Sequence, residues 1–245
     1  LEFGATAWSA GITWTPKFHT TIWKKTAATT DWNTASNWST GYVPTSDVHV
    51  IIPENNNNGG TYPIISSTGA TSKNITINSN ATLTINKGYD LTVAGNFTNR
   101  GTVTLNSDSN EFSSLIIQGT SSGNVTYNRY VNSLSGGTGW DLIGSPVNGL
   151  QISSFATTND TPLATGNGSG AGDVGEYAIG TYDPSNNTWS NYTSSNVGTT
   201  QFTPGKGYQM ATDSGATLAF TGTVDTDATE TISIESFTDA SGRRW

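Results

Sequence analysis

The chain has no cysteine and one methionine among 245 residues, and only 11% of it is charged. Without thiols there are no disulfides and no thiolate metal sites. No stretch approaches the roughly 20 apolar residues that a membrane-spanning helix needs. Basic residues are also scarce, 10 Lys+Arg against 18 Asp+Glu, for a net charge of −8. Their longest runs are Lys24-Lys25 and Arg243-Arg244. Nucleic-acid binding usually needs a basic face to neutralise phosphates, so no nucleic-acid partner is expected, and an anionic membrane surface would repel the chain. Ala, Leu, Glu, Lys and Arg are too few to sustain long helices.

Four small residue types dominate instead: 42 Thr, 28 Ser, 24 Asn and 28 Gly, about half the chain. The 8 Trp, 9 Tyr and 8 Phe supply large buriable surfaces, which argues against disorder. The composition fits an all-β, extracellular bacterial protein stabilised by packing, of one long domain or two ordinary ones. Leu1-Glu2-Phe3 reads as a cloning remnant, so residues 1–20 are treated as an N-terminal extension.

From about Asn74 to Val131 an apolar-Thr-apolar unit recurs: Ile75-Thr76-Ile77, Leu83-Thr84-Ile85, Leu91-Thr92-Val93, Val103-Thr104-Leu105 and Val125-Thr126-Tyr127. Period-two alternation puts the aliphatic pair on one face and Thr on the other, as in half-buried strands. Asn- and Gly-rich corners separate the units, and both residues tolerate left-handed backbone angles. An antiparallel meander satisfies this spacing. So does a right-handed parallel β-helix, which the short strands favour because each rung buries its face by stacking on the next. Trp23, Trp32 and Trp38 precede the repeats and are expected to cap the open first rung, with a sugar-stacking platform as the alternative.

After Asn132 the texture changes. Leu134–Gly139 reads as a linker, and strands resume at Tyr177–Tyr182, Thr188–Tyr192, Gly207–Ala211, Thr217–Thr221 and Glu230–Ile234. Strands and turns over about 100 residues imply an antiparallel β-sandwich or jelly roll. The expected organisation is residues 1–20 as extension, 21–131 as a capped parallel β-helix, and 132–245 as a sandwich-like domain truncated at its C-terminus.

Candidate chemistry is sparse. His19 and His49 are isolated, and neither a Ser-His-Asp order nor a Gly-x-Ser-x-Gly elbow is present. Only six Glu occur, and no pair is positioned for glycoside hydrolysis. No catalytic residue is assigned, and the expectation is a non-enzyme. A polysaccharide lyase or hydrolase is the weakest alternative. Asp225, Asp227, Asp173 and Glu176 place carboxylates close together in loops, which makes calcium the one candidate ion, on hard-oxygen chemistry alone. Trp8, Trp14, Trp189 and Tyr192 are the candidates for stacking on a sugar. Tyr182 to Trp189 reads as a single hairpin with an Asp-Pro-x-Asn turn. Thr82-x-Thr84 and Thr102-x-Thr104 point hydroxyl pairs outward, as in ice-binding solenoids. Thr76 and Thr92 lack a partner two residues away, so the ladder reads as broken, and outward Thr as ordinary strand propensity.

One resemblance bears on function. Trp23, the run Asp31-Trp32-Asn33-Thr34-Ala35-Ser36-Asn37-Trp38-Ser39, Val43-Pro44 and Val48–Pro53 resemble a module opening found in large secreted and cell-surface proteins of Bacteroidota. Asn124–Val131 and the Trp140–Pro146 element continue the resemblance, which covers roughly residues 21 to 150. It implies an adhesin-like piece of a multidomain surface protein, often a cargo of type IX secretion, with no catalytic motif to carry over. The expected partners are neighbouring domains of the same longer chain, and a polysaccharide or another cell-surface protein. The alternative function is a carbohydrate-binding accessory domain of a polysaccharide-degrading enzyme.

Overall fold

The computed structural model describes residues 19–54, 61–134, 139–160, 163, 175–184 and 186–227. Within them the protein is all-β with one short α-helix. After a lead strand β1 (Thr20–Ile22), the chain winds into rungs of three strands. The first rung is β2 (His49–Ile52), β3 (Ile64–Ile65) and β4 (Ala70–Ser72). The second is β5 (Ile75–Ile77), β6 (Thr82–Ile85) and β7 (Asp90–Val93). The third is β8 (Phe97–Asn99), β9 (Thr102–Leu105) and β10 (Ser114–Ile117). A fourth begins with β11 (Ser121–Ser122) and β12 (Asn124–Val131). Equivalent strands pair in parallel as β1-β2-β5-β8-β11, β3-β6-β9-β12 and β4-β7-β10. The coil is therefore a parallel β-helix, and the meander is excluded.

The apolar-Thr-apolar unit produces this coil directly. Val50, Ile75 and Phe97 stack in one column, Ile65, Ile85 and Leu105 in a second, and Ala70, Leu91 and Leu115 in a third. Nearly all of these are buried. Each buried aliphatic side chain contributes about 1.5–3 kcal/mol by leaving water, and does so only because a rung lies above or below it. Corners need left-handed backbone, which Asn80 (φ 60°) and Gly88 (φ 79°) supply.

The first rung is closed by the tryptophans. Trp23, Trp32 and Trp38 are all buried. Trp38 packs edge-on against Trp23, with centroids 5.0 Å apart, and against Trp32 at 4.8 Å. Trp38 Nε1 donates to the Trp32 carbonyl at 2.8 Å, and Trp23 Nε1 to that of Thr61 at 2.8 Å. The polar letters of the same motif fold the loop that carries them. The Asp31 carboxylate accepts from the Asn33 N–H and the Thr34 hydroxyl, and the buried Asn37 side chain donates to the Asp31 carbonyl and to Thr29 Oγ1. These rings form the cap, and a buried ring has no face for a sugar.

The rest of the chain supplies β13 (Asp141–Gly144), α1 (Ile152–Thr158), β14 (Glu176–Asp183), β15 (Thr188–Thr193), β16 (Gly207–Met210) and β17 (Ala216–Thr223). An antiparallel sheet forms in the order β13-β16-β14-β15. β17 joins the solenoid instead, pairing antiparallel with β12 over eight positions, from Asn124↔Thr223 to Val131↔Ala216. Between this ribbon and the four-stranded sheet, Phe155 of α1, Phe202, Tyr208 of β16 and Phe220 of β17 lock together. The buried Asn159 at the end of α1 exchanges two hydrogen bonds with the backbone of Ala219. One hydrophobic core runs from the Trp cap through the rungs to this aromatic knot.

Candidate functional site

Alternation decides which side chains of the four-stranded sheet reach solvent. Ile143, Ile179, Tyr208 and Met210 face inward and are buried in the common core. The opposite face carries the residues between them; Leu142 there is exposed, Gly180 and Gln209 are buried, and Ala178 and Ala211 are covered by Leu134 and Trp140. Leu142, Gln209, Gly180 and Asn191 lie in register across all four strands. On the hairpin β14–β15, Tyr182 sits directly opposite Trp189. Their ring centroids are 5.2 Å apart at an interplanar angle of 54°, and each residue is 44% exposed. Tyr182 Oη donates to Asn187 Oδ1 at 2.5 Å, which ties the ring to the turn. Asn187 holds that turn at φ 54°, and Asn186 Nδ2 donates to Asp183 Oδ2 at 2.8 Å. The segment is thus a hairpin, as its turn chemistry implies.

Beside the aromatic pair, Gln209 Nε2 donates to Asn191 Oδ1 at 2.7 Å. This amide bridge crosses over the central strand at Gly180. A Cβ there would lie 2.4 Å from Asn191 Oδ1 and 2.8 Å from Gln209 Nε2, so only glycine lets the two amides meet. Neither amide nor either ring carries a charge.

The sequence candidates are distributed unevenly over this geometry. Trp189 is on the exposed face. Tyr192, three residues along the same strand, faces the other way and packs against the core. Its burial, with a smaller effect of the neighbouring Tyr208, pushes its phenol above the usual pKa. The structure therefore separates Trp189 from Tyr192 and gives Trp189 a different partner, Tyr182. Trp8 and Trp14 lie outside the described residues, as do Asp173, the strand expected at Glu230–Ile234 and the Gly-rich stretch 164–174. Asp225 accepts the backbone N–H of Asp227 at 2.9 Å, an Asx-type turn just after β17. Glu176 begins β14. Among the described residues no group of three or more His, Asp or Glu side chains converges as a metal site.

His49 also finds its place. Its Nδ1 is 3.0 Å from Asn74 Nδ2 at a coil corner, so its environment is a hydrogen-bonded corner of the solenoid. The outward Thr residues are arranged differently from the sequence expectation. Thr76 and Thr92 belong to β5 and β7, on two other faces of the coil, so they never interrupt the ladder. On the third face, Thr84, Thr104, Thr126 and Thr221 lie in consecutive register, with Thr126 Oγ1 2.9 Å from Thr221 Oγ1. Cross-strand Thr pairs of this kind stabilise sheets by a few tenths to about 1 kcal/mol each.

Where the solenoid ends, an apolar groove of about 310 Å³ opens between β10 and the β12–β17 ribbon, lined in part by Leu115, Ile116, Val125, Val147 and Val224. It carries no charged side chain.

Fold and surface together define a capped β-solenoid packed against a separate antiparallel sheet that bears an exposed aromatic pair. The chain belongs to the family described as a domain of unknown function, DUF8693, whose pattern matches residues 22–239. That match spans the Trp cap, the coil and the antiparallel sheet. No curated protein and no solved structure matches the chain.

Proposed function

We propose that the chain is a non-catalytic module of a secreted or surface-attached bacterial protein, serving adhesion and acting as a stiff spacer. The observation that carries this reading is the aromatic knot of Phe155, Phe202, Tyr208 and Phe220, through which coil and four-stranded sheet share one core, with β17 paired back onto β12 over eight positions. Inter-domain joints usually retain relative motion unless their interface is large and apolar. Here a strand returned to the coil and an aromatic knot replace a linker, so the outer face of the four-stranded sheet is held at a fixed distance and angle from the Trp cap. The low charge and the Thr-covered outer faces suit an extracellular rod. The resemblance to Bacteroidota surface modules supports the compartment and the delivery by type IX secretion.

A carbohydrate-binding role is favoured over other forms of adhesion by one specific observation, the solvent-facing Tyr182–Trp189 pair. The experiment that tests the module reading is incubation of the purified chain with soluble polysaccharides, followed by assay of new reducing or unsaturated ends. No product is expected at any pH. Turnover of any polysaccharide by the chain contradicts the reading.

A further inference from the structure

Among the described residues, three of the seven exposed large hydrophobic side chains, Leu142, Tyr182 and Trp189, lie on the outer face of one small sheet. An exposed aromatic pair opposite each other on a hairpin has a bland explanation, since such pairs stabilise hairpins by about 0.5–1.5 kcal/mol. Three further features of this face are not explained by hairpin stability.

The first is a trough. Gly144 and Gly207 are cross-strand partners, and both are exposed. A Cβ at Gly207 would meet nothing within 4 Å, and one at Gly144 only the Lys206 carbonyl at 3.6 Å. The space above this bare backbone is open. The β14–β16 pairing holds at Ile179↔Met210 and Gly180↔Gln209, so Gly207 of β16 lies on the strand next to the hairpin that carries Tyr182 and Trp189. The glycine floor and the aromatic pair thus share one face of the sheet, on neighbouring strands.

The second is the amide bridge. Asn191 is two residues from Trp189 on the same face, about 6.6–6.8 Å along the strand. The Gln209–Asn191 bond fixes both carboxamides in orientation. Gly180 is what allows that bond to form. Amides held in place beside an aromatic wall are prepaid in ordering entropy, which is the main cost of orienting flexible polar groups on binding.

The third is neutrality. No charged side chain belongs to this set in a chain of net charge −8. A charged ligand would leave its charge uncompensated against the rings, whereas an uncharged one meets no such penalty.

We propose that this face binds a neutral glycan. The C–H face of one pyranose stacks on Trp189, with Tyr182 at its edge. The glycan then runs along the Gly144–Gly207 floor, and its hydroxyls exchange hydrogen bonds with the half-buried Asn191 amide, which the buried Gln209 amide holds in orientation. This deepens the adhesion reading and rests on it, because the site has binding groups and no catalytic pair.

The test is affinity electrophoresis and calorimetric titration of the full chain against soluble neutral polysaccharides: β-glucan, xylan, mannan and an α-glucan. A polyuronic acid serves as the charged comparison. Binding to at least one neutral polymer is expected, with no binding to the polyuronic acid. Trp189→Ala and Gly207→Leu should each weaken that binding at least tenfold. Gly207→Leu enters the trough from a Cβ that meets nothing within 4 Å, so its melting temperature should match that of the parent. Thr76→Ala, on a different face, should bind like the parent.

Binding to no neutral polymer overturns the proposal and leaves the spacer reading standing. Binding unaffected by both variants, or preference for the polyuronic acid, also overturns it. A protein ligand whose capture depends on Trp189 while no glycan competes for it replaces the proposed occupant. Chain-dependent cleavage of the polymer contradicts the non-catalytic reading itself.

Discussion

Asn74 Oδ1 accepts the backbone N–H of Asn96, one rung further along the coil, at 2.7 Å. Asn96 Oδ1 repeats the contact to the N–H of Thr120 at 3.1 Å. His49 continues the series in the other direction by meeting Asn74. A corner side chain thus satisfies a backbone donor that the rung geometry leaves without a ladder partner, and rungs are joined by bonds the strands themselves do not make. Thr120 ends the series at the last complete rung.

The ladder predicts graded losses. Asn96→Ala removes one bond at an exposed corner and should cost about 1 kcal/mol, or about 2–4 °C in melting temperature for a chain of this size. Asn99 is buried, donates to the Asn124 carbonyl and accepts the Gly101 N–H. Asn99→Ala should cost more, because it removes two hydrogen bonds, at about 0.5–1.5 kcal/mol each, made by a side chain that fills a buried position. Equilibrium urea unfolding of the two variants checks the order, and equal losses would contradict the ladder account.

The Trp cap predicts an asymmetry between two adjacent rings. Trp38 Nε1 is hydrogen-bonded to the Trp32 carbonyl, whereas the buried Trp32 Nε1 has no partner among the described residues. Trp38→Phe loses a bond and leaves a carbonyl unsatisfied, while Trp32→Phe removes an unpaired donor. Trp32→Phe should be the milder change by about 1 kcal/mol. Trp38→Ala, which opens a cavity over the first rung, should cost about 3–5 kcal/mol. Thermal melts of the three variants decide this.

A shared core predicts shared unfolding. Phe220 lies in the knot that joins β17 to the sheet, far from the cap tryptophans in sequence. Phe220→Ala should lower the transition seen by the buried cap Trp fluorescence as much as that seen by far-UV circular dichroism, in one cooperative step. Two separated transitions would show that solenoid and sheet are independent.

An exposed ion pair gives a pH signature. Lys87 bonds to Asp108, whose carboxyl also accepts the N–H groups of Asn110 and Glu111. The Lys87 hydrogen bond chiefly, with those N–H groups, holds the Asp108 pKa down to about 2. A folded-state pKa below the unfolded value, about 3.9, contributes stability that is fully present above the unfolded value. It is lost as pH falls from about 4 toward about 2. Lys87 is shifted up, mainly by the same Asp108 bond, so its part is present below about 10.4 and lost above it. Both groups are fully solvated, so the effect is small. Asp108→Asn should flatten the acid limb of stability measured by urea unfolding across that window; an unchanged limb would contradict the assignment.

What was legible in the sequence was the local part. The Leu83-Thr84-Ile85 type of unit announces its own burial pattern, while the number of strands per rung, two or three, is left open by that pattern, and the structure has three. β8 was harder to see, because Asn99 takes an inward position that the apolar pattern reserves for an aliphatic residue. The Thr ladder looked broken because neighbours in sequence, Thr76, Thr84 and Thr92, sit on three different faces of the coil. The partner of Thr84 in space comes about one rung later, at Thr104, which in turn meets Thr126, while Thr76 meets Thr98 on another face. The return of β17 to β12 joins residues about 85 to 99 apart in sequence, and no local pattern encodes that. The candidate site shows the same limit. Trp189 could be picked out by type, but its partner depends on hairpin register. Counting back through the Asp183↔Thr188 closure gives Tyr182, whereas strand alternation sends Tyr192 inward.

The most direct test of the account is a calorimetric titration of the full chain into a neutral polysaccharide that it retains in affinity electrophoresis, run beside Trp189→Ala. A non-catalytic binding module gives heats that saturate and return to baseline, strongly reduced in the variant. A steady heat flow persisting after each injection, the signature of continuing turnover, would contradict it.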